Sequence, residues 1–201
     1  QPLLRGAPRP SSILLVGGGA FAEALAASLR TEGHTLTVAL SGEGLEQTTA
    51  ELFRVDLGSA TDHERLLGEL AAQGRSPEVL IFAAGTEGAS DGGFAALLAL
   101  GQALGRLELS KALELVVLTS SAAQVAGEAI AHPEQAMLGA ASKVLAQEIP
   151  RLSVRSVDAV IDAATPARIA ELGRALSAEI EAASEDRVVA LRGHERFVQR
   201  Y

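Results

Sequence analysis

The sequence predicts an α/β fold: a mostly parallel, seven-stranded sheet with helices on both faces. Three observations carry this. Short apolar runs alternate with Ala- and Leu-rich runs of helical length along nearly the whole chain. Glycine or proline punctuates most of the junctions. The strand-like runs are apolar throughout, as strands covered on both faces must be. The first strand is Ser12-Ile-Leu-Leu-Val16, stopping at three glycines. Phe21 to Thr31 is a helix with Gly33 as its stop. Thr35 to Leu40 and Leu52 to Val55 are the second and third strands. Asp62 to Ala72 is a helix with Leu66, Leu67 and Leu70 on one face. Glu78 to Ala83 is the fourth strand. Phe94 to Leu107 is a helix with Phe94, Leu97, Leu98, Gly101, Leu104 and Gly105 on or near one stripe. Leu113 to Thr119 is the fifth strand. Pro133 opens a helix with Met137, Ala140, Val144, Leu145 and Glu148 at helical spacing, and Pro150 ends it. Val154 to Ile161 is the sixth strand. Thr165-Pro166 caps a helix with Ile169, Leu172, Leu176 and Ile180 on its apolar stripe. Arg187 to Leu191 is the seventh strand, and Arg196 to Gln199 returns after a turn at Arg192-Gly193-His194.

Residues 1–11 read as a linker and residues 12–201 as one domain, of a size that supports a proper core. The start at Gln1 reads as a piece of a longer chain. Hydrophobic residues make up 48% of the sequence and aromatics only 3%, so the core is aliphatic and a site built on base or sugar stacking is disfavoured. The formal charge of −8 repels phosphate backbones, so no nucleic-acid partner is expected. The absence of cysteine excludes disulfide and thiol chemistry. No apolar run approaches the roughly 18 residues of a membrane span, and residues 1–10 lack the apolar core of a signal peptide. No membrane partner and a cytoplasmic location follow as expectations.

Gly17-Gly18-Gly19-Ala20-Phe21-Ala22 follows the first strand and opens the first helix. It fits G-x-G-x-x-A, the dinucleotide fingerprint, in which Gly17, Gly19 and Ala22 permit close backbone approach and the helix N-terminus attracts pyrophosphate. The second strand nevertheless ends Ala39-Leu40-Ser41-Gly42, without an acid for a ribose; a tight turn kept for packing explains the glycines equally well. Asp56 ends the third strand and suits the capping of its loop. Ser120 and Ser121 are candidates for a nucleophile or an oxyanion donor, but no G-x-S-x-G elbow surrounds them, and turn serines fit as well. The histidines His34, His63, His132 and His194 have no metal-ligand spacing, so no metal is expected. The acidic groups around Glu43 and Glu181 read as solvated faces.

The layout from Val116 to Asp158 resembles a short-chain dehydrogenase. That family places a Ser after a strand, then Tyr-x-x-x-Lys on the next helix, where Tyr donates the proton and Lys lowers its pKa and holds the ribose. Ser120 or Ser121 would be the Ser and Lys143 the Lys. The Tyr position is Gly139, which has no side chain to donate a proton. The serines also lie too far upstream of Gly139. Ala83 and Ala84 stand where the family carries an Asn, and the longer glycine spacing of its cofactor turn is missing. Lys143 reads equally as a solvated lysine with its stem on the sheet.

Pro133-Glu-Gln-Ala-Met-Leu-Gly-Ala-Ala-Ser-Lys-Val-Leu-Ala-Gln-Glu-Ile-Pro150, then Val154-Arg-Ser-Val-Asp158, and the closing Arg187 to Tyr201 resemble the structural half of ketoreductase regions in modular polyketide synthases. The resemblance runs from about Ser12 to Tyr201. It implies a truncated, Rossmann-like, doubly wound fold that binds no cofactor and performs no chemistry, with Ser120, Gly139 and Lys143 as degenerate positions and Gly17, Gly19 and Ala22 as a vestige. NADPH would belong to a separate catalytic half. The implied partners are that catalytic half and neighbouring synthase domains, such as a methyltransferase or a dehydratase. The alternative function is an NAD(P)-binding reductase-like enzyme using the Gly17–Ala22 turn.

Overall fold

The computed structural model describes residues 11–86, 92–125, 127–161, 165–182 and 184–199. The elements run β1 (Ser12–Gly17), α1 (Gly19–Thr31), β2 (Thr35–Ser41), β3 (Glu46–Gln47), β4 (Leu52–Val55), α2 (Ala60–Ala72), β5 (Val79–Phe82), α3 (Gly92–Arg106) and β6 (Leu113–Ser120). A 3-10 turn (Pro133–Gln135) then leads into α4 (Ala136–Glu148), β7 (Leu152–Ala159), α5 (Pro166–Glu181), β8 (Val188–Arg192) and β9 (Glu195–Val198). The sheet has nine strands rather than the expected seven, in the order β3-β4-β2-β1-β5-β6-β7-β8-β9. The returning strand joins it as β9. The two-residue β3 was not foreseen, because only its antiparallel pairing with β4 makes it a strand. All the inner pairings are parallel.

Strand alternation sends successive side chains to two separate cores. Ile13, Leu15, Leu118, Val157 and Val189 meet α1 and α5 on one face. Leu14, Val16, Phe82, Leu115 and Val117 meet α2, α3 and α4 on the other. Two helix stripes differ from the sequence reading. On α4 the buried side chains are Leu138, Ala141 and Ser142, whereas Met137 and Val144 are exposed. On α3 Leu98 and Gly105 face outward. The reason is a close helix crossing: a Cβ on Gly101 would lie 2.5 Å from Leu145 Cδ2, so α4 turns Leu145 and Leu138 inward.

The Thr165 cap behaves as the sequence indicates, whereas α2 starts two residues before the expected Asp62, on a Ser59 cap that the sequence reading passed over. The Thr165 side chain accepts from the Arg168 amide with Pro166 in the first turn, and Ser59 accepts from Asp62 to start α2. A buried ionic cluster ties the closing strands to the sheet. Arg155 of β7 donates to the Glu179 carboxylate and carbonyl of α5, and Arg196 of β9 binds the same carboxylate. Ser11 is already fastened: its amide donates to His34 Nδ1 and its carbonyl accepts from Thr35. The linker reading for residues 1–10 lies outside the described residues.

Candidate functional site

The C-terminal end of β6 decides what the serines can do. Leu118 belongs to the α1/α5 core, so Thr119 faces α4 and Ser120 faces away from it. Ser120 is fully buried. Its hydroxyl accepts from the Ile161 amide at 3.3 Å, and its own amide donates to Gln135 Oε1 at 2.7 Å. Ser121 has φ +48°, a left-handed turn held by its amide on the Ala159 carbonyl and by Ala131 and His132 on its own carbonyl. Thr119, which sequence reasoning passed over, is the hydroxyl on the α4 side.

Thr119 is not free to act on a ligand. It donates to Asp158 Oδ1 at 2.6 Å, and the same carboxylate accepts from Ala122 at 2.8 Å and Arg192 Nη2 at 2.8 Å. Arg192 also donates to the Ala123 carbonyl and to Glu128. Burial works against the Arg192 charge, but its bonds to Glu128 and Asp158 outweigh that and hold its pKa above the ordinary value. A carboxylate and a guanidinium thus lock the loop after β6 onto β7 and β8. Asp158 lies within the sixth strand as read from the sequence and Arg192 opens the turn after the seventh, but their contact follows only from the strand order.

Beside this lock lies a cleft of about 770 Å³ between α4 and the exposed face of β7, β8 and β9. Gly139, Lys143, Gln135 and Thr119 line it, facing Ser156, Val188, Ala190 and Phe197. Gly139 looks into open space, the nearest heavy atom to a Cβ there being Ser156 Oγ at 4.0 Å. The structure therefore brings Gly139 and Lys143 together, and sets Ser120 on the other side of its strand.

The glycine turn lies elsewhere. β1 is three strands from β7, or about 14 Å. A Cβ on Gly17 would sit 3.1 Å from Ala22 Cβ and 3.3 Å from Ala83 Cβ, so Gly17 and Ala22 serve the packing of α1 on the strand ends. Gly19 has φ +59° and is exposed with Ala20 at the start of α1. At the end of β2 the charged neighbour is Arg54, donating to the Ser41 carbonyl. Asp56 accepts from Gly58 in a loop turn. A nicotinamide dinucleotide would find backbone at Gly19 and Ala20, but no ribose carboxylate at the end of β2, no side-chain donor at Ala83 or Ala84, and a lysine turned toward β7 and β8. This set fits such a cofactor poorly. Among the described residues no group of three or more metal-ligating side chains occurs. No helix among them is long and apolar enough to cross a membrane.

No family model matches the sequence, and no curated protein matches it. Solved structures do. The chain is similar to part of a multidomain structure holding the adenylation, ketoreductase and pseudo Asub domains of a keto acid-selecting NRPS module, with TM-score 0.82 and 18% identity over 98% of this chain and 17% of that one. It is similar to an N-terminal ketoreductase from the macrolactin assembly line, with TM-score 0.68 and 16% identity over 100% of this chain and 43% of that one. A short-chain dehydrogenase/reductase from Serratia marcescens matches with TM-score 0.60 and 16% identity over 93% of this chain and 98% of its own. The chain has the ketoreductase and short-chain reductase fold. It spans less than half the length of the first two matches. At these identities the likeness establishes the fold and not the activity.

Proposed function

We propose that this chain is a non-catalytic, structural ketoreductase-like subdomain of a modular polyketide synthase, bracing a catalytic half or neighbouring domains in the cytoplasm. The observation that carries the reading is Gly139, which by the resemblance stands at the acid's place and opens onto a cleft where none of the described lining residues carries a phenol. The rest of the chemistry is dispersed in the same sense. The Ser120 hydroxyl is spent on Ile161, and Thr119 on Asp158. The Asp158–Arg192 lock makes the strand ends rigid, which suits a brace better than a site that must admit and release substrate. Bracing then falls to the sheet and to the exposed apolar side chains Leu98, Met137 and Val144 on α3 and α4.

The test is turnover of an acetoacetyl thioester with NADPH by the 201-residue chain alone. No reduction above background is expected, whereas steady NADPH consumption matched by hydroxyacyl product would overturn the reading. A catalytic half co-expressed with this chain should melt at a higher temperature than without it.

A second reading, dinucleotide binding at Gly17 to Ala22, has one observation in its favour: the N-terminal turn of α1 presents Gly19 and Ala20 to solvent with no side-chain cap.

A further inference from the structure

His34 carries an inference that stands apart from the reading above. It lies between α1 and β2 and is only 4% exposed. Its Nδ1 accepts from the Ser11 amide at 3.2 Å, immediately before β1. Its Nε2 lies 2.8 Å from Ser177 Oγ on α5. A backbone amide only donates, so Nδ1 carries the lone pair and the ring's proton is on Nε2. Ser177 Oγ therefore accepts from the ring and donates its own proton to Glu181 at 3.2 Å. The result is one directional chain, from the Ser11 amide through His34 and Ser177 to the Glu181 carboxylate. The Ser11 carbonyl in turn accepts from the Thr35 amide at 3.1 Å, where β1 begins to pair with β2.

This chain holds in one protonation state only. A proton on Nδ1 sets two donors face to face at 3.2 Å, and the Ser11 amide must give way. Burial pushes the ring's pKa below the ordinary histidine value, while Glu181 on α5 and Glu32 at the end of α1 pull it back up. β1 and β2 carry no charged residue. The charged ring keeps its acceptors on the far side, at Ser177 and through it at Glu181. We propose that His34 is a pH-sensitive latch: neutral, it ties the Ser11 amide to α5 and fixes the start of β1; protonated, it lets that amide go and draws toward Glu181. Residues 1–10 enter the domain at this joint, so the latch sets how firmly the entering chain is tied to the sheet.

Nuclear magnetic resonance of the isotope-labelled full chain, titrated from about pH 7.5 to about pH 4.5, follows both partners of the latch. At the upper end the ring nitrogens should report a proton on Nε2 and none on Nδ1. As pH falls, the Ser11 amide resonance should move with the His34 ring, at one shared midpoint below the ordinary histidine value. Exchange protection of the Ser11 amide, corrected for the intrinsic rate and compared with the amides of β5, should fall by about fivefold or more, the worth of one hydrogen bond. Glu181→Gln removes the attraction from α5 and should lower the shared midpoint. His34→Gln should abolish the titration of the Ser11 amide; if that variant folds poorly, the shift in Glu181→Gln decides the matter. A proton on Nδ1 at the upper pH, a Ser11 amide that does not follow the ring, a midpoint unmoved by Glu181→Gln, or a ring that stays neutral until the domain unfolds would each overturn the inference.

Discussion

Replacing Asp158 with alanine is the sharpest perturbation of the strand-end lock. Asp158 is 6% exposed and accepts from Thr119 at 2.6 Å, Ala122 at 2.8 Å and Arg192 at 2.8 Å. The substitution strands one hydroxyl, the amides of Ala122 and Ala123, and half of a buried guanidinium. Breaking a buried ion pair by removing one partner typically costs about 3–5 kcal/mol. Arg192 keeps Glu128, whose side chain is 48% exposed and shields it only weakly, so the lower end of that range, about 3 kcal/mol, is expected here. For a domain of this size that lowers Tm by about 6–12 °C. Urea denaturation followed by far-UV circular dichroism gives the difference directly, at unchanged slope. Asp158→Asn, which can still accept from Thr119, should lose clearly less. A loss below about 1 kcal/mol for Asp158→Ala would mean that the lock contributes little and that the loop after β6 is held by other contacts.

Three further outcomes follow from burial and close packing elsewhere in the domain. Burial pushes the His34 pKa below 6.5 against the pull of Glu181 and Glu32, and pushes that of His63 below 6.5 against its bond to the Leu57 carbonyl and the charges of Asp62 and Asp56. The unfolded chain therefore takes up protons near pH 6.5 that the folded chain refuses, so stability is full above that pH and falls as pH drops below it. Thermal melts between about pH 7.5 and pH 5.5 should show the slope, and the double variant His34→Gln/His63→Gln should flatten it. Gly173→Ala places a Cβ 2.1 Å from Ser28 Oγ and 2.7 Å from Ser28 Cβ, where α1 and α5 touch, and should destabilise by about 1–3 kcal/mol in denaturant. Gly139→Ala meets nothing closer than 4.0 Å and should stabilise α4 by about 0.5–1 kcal/mol; a loss instead would show that the backbone there needs glycine.

Much of the architecture was legible because local patterns and tertiary roles agree. The continuous apolar runs at Ile13–Val16 and Val79–Phe82 are central strands buried on both faces, and Thr165-Pro166 starts α5 where capping chemistry says it should. The misreadings share one cause, the abundance of Ala and Leu. On α4, small and apolar residues occupy every face, so periodicity could not tell the Leu138–Ala141 stripe from the Met137–Val144 stripe; the approach of Gly101 to Leu145 decided it. At the site, alternation puts Thr119 and Ser120 on opposite faces, but which face carries α4 is a property of the assembled sheet. The pairing of Asp158 with Arg192, 34 residues apart, is likewise invisible until β7 and β8 are neighbours. Gly139 was singled out by the resemblance; the cleft beside it, and Gln135 Nε2 without a partner among the described residues, required the fold.

The central claim is that this chain braces and performs no redox chemistry. Calorimetric titration with NADPH and NADH at millimolar concentration, paired with a thermal melt, tests it most directly. The account expects no saturable heat and no rise in melting temperature. Saturable binding that also raises the melting temperature would contradict it and return the Gly17–Ala22 turn to service as a cofactor site.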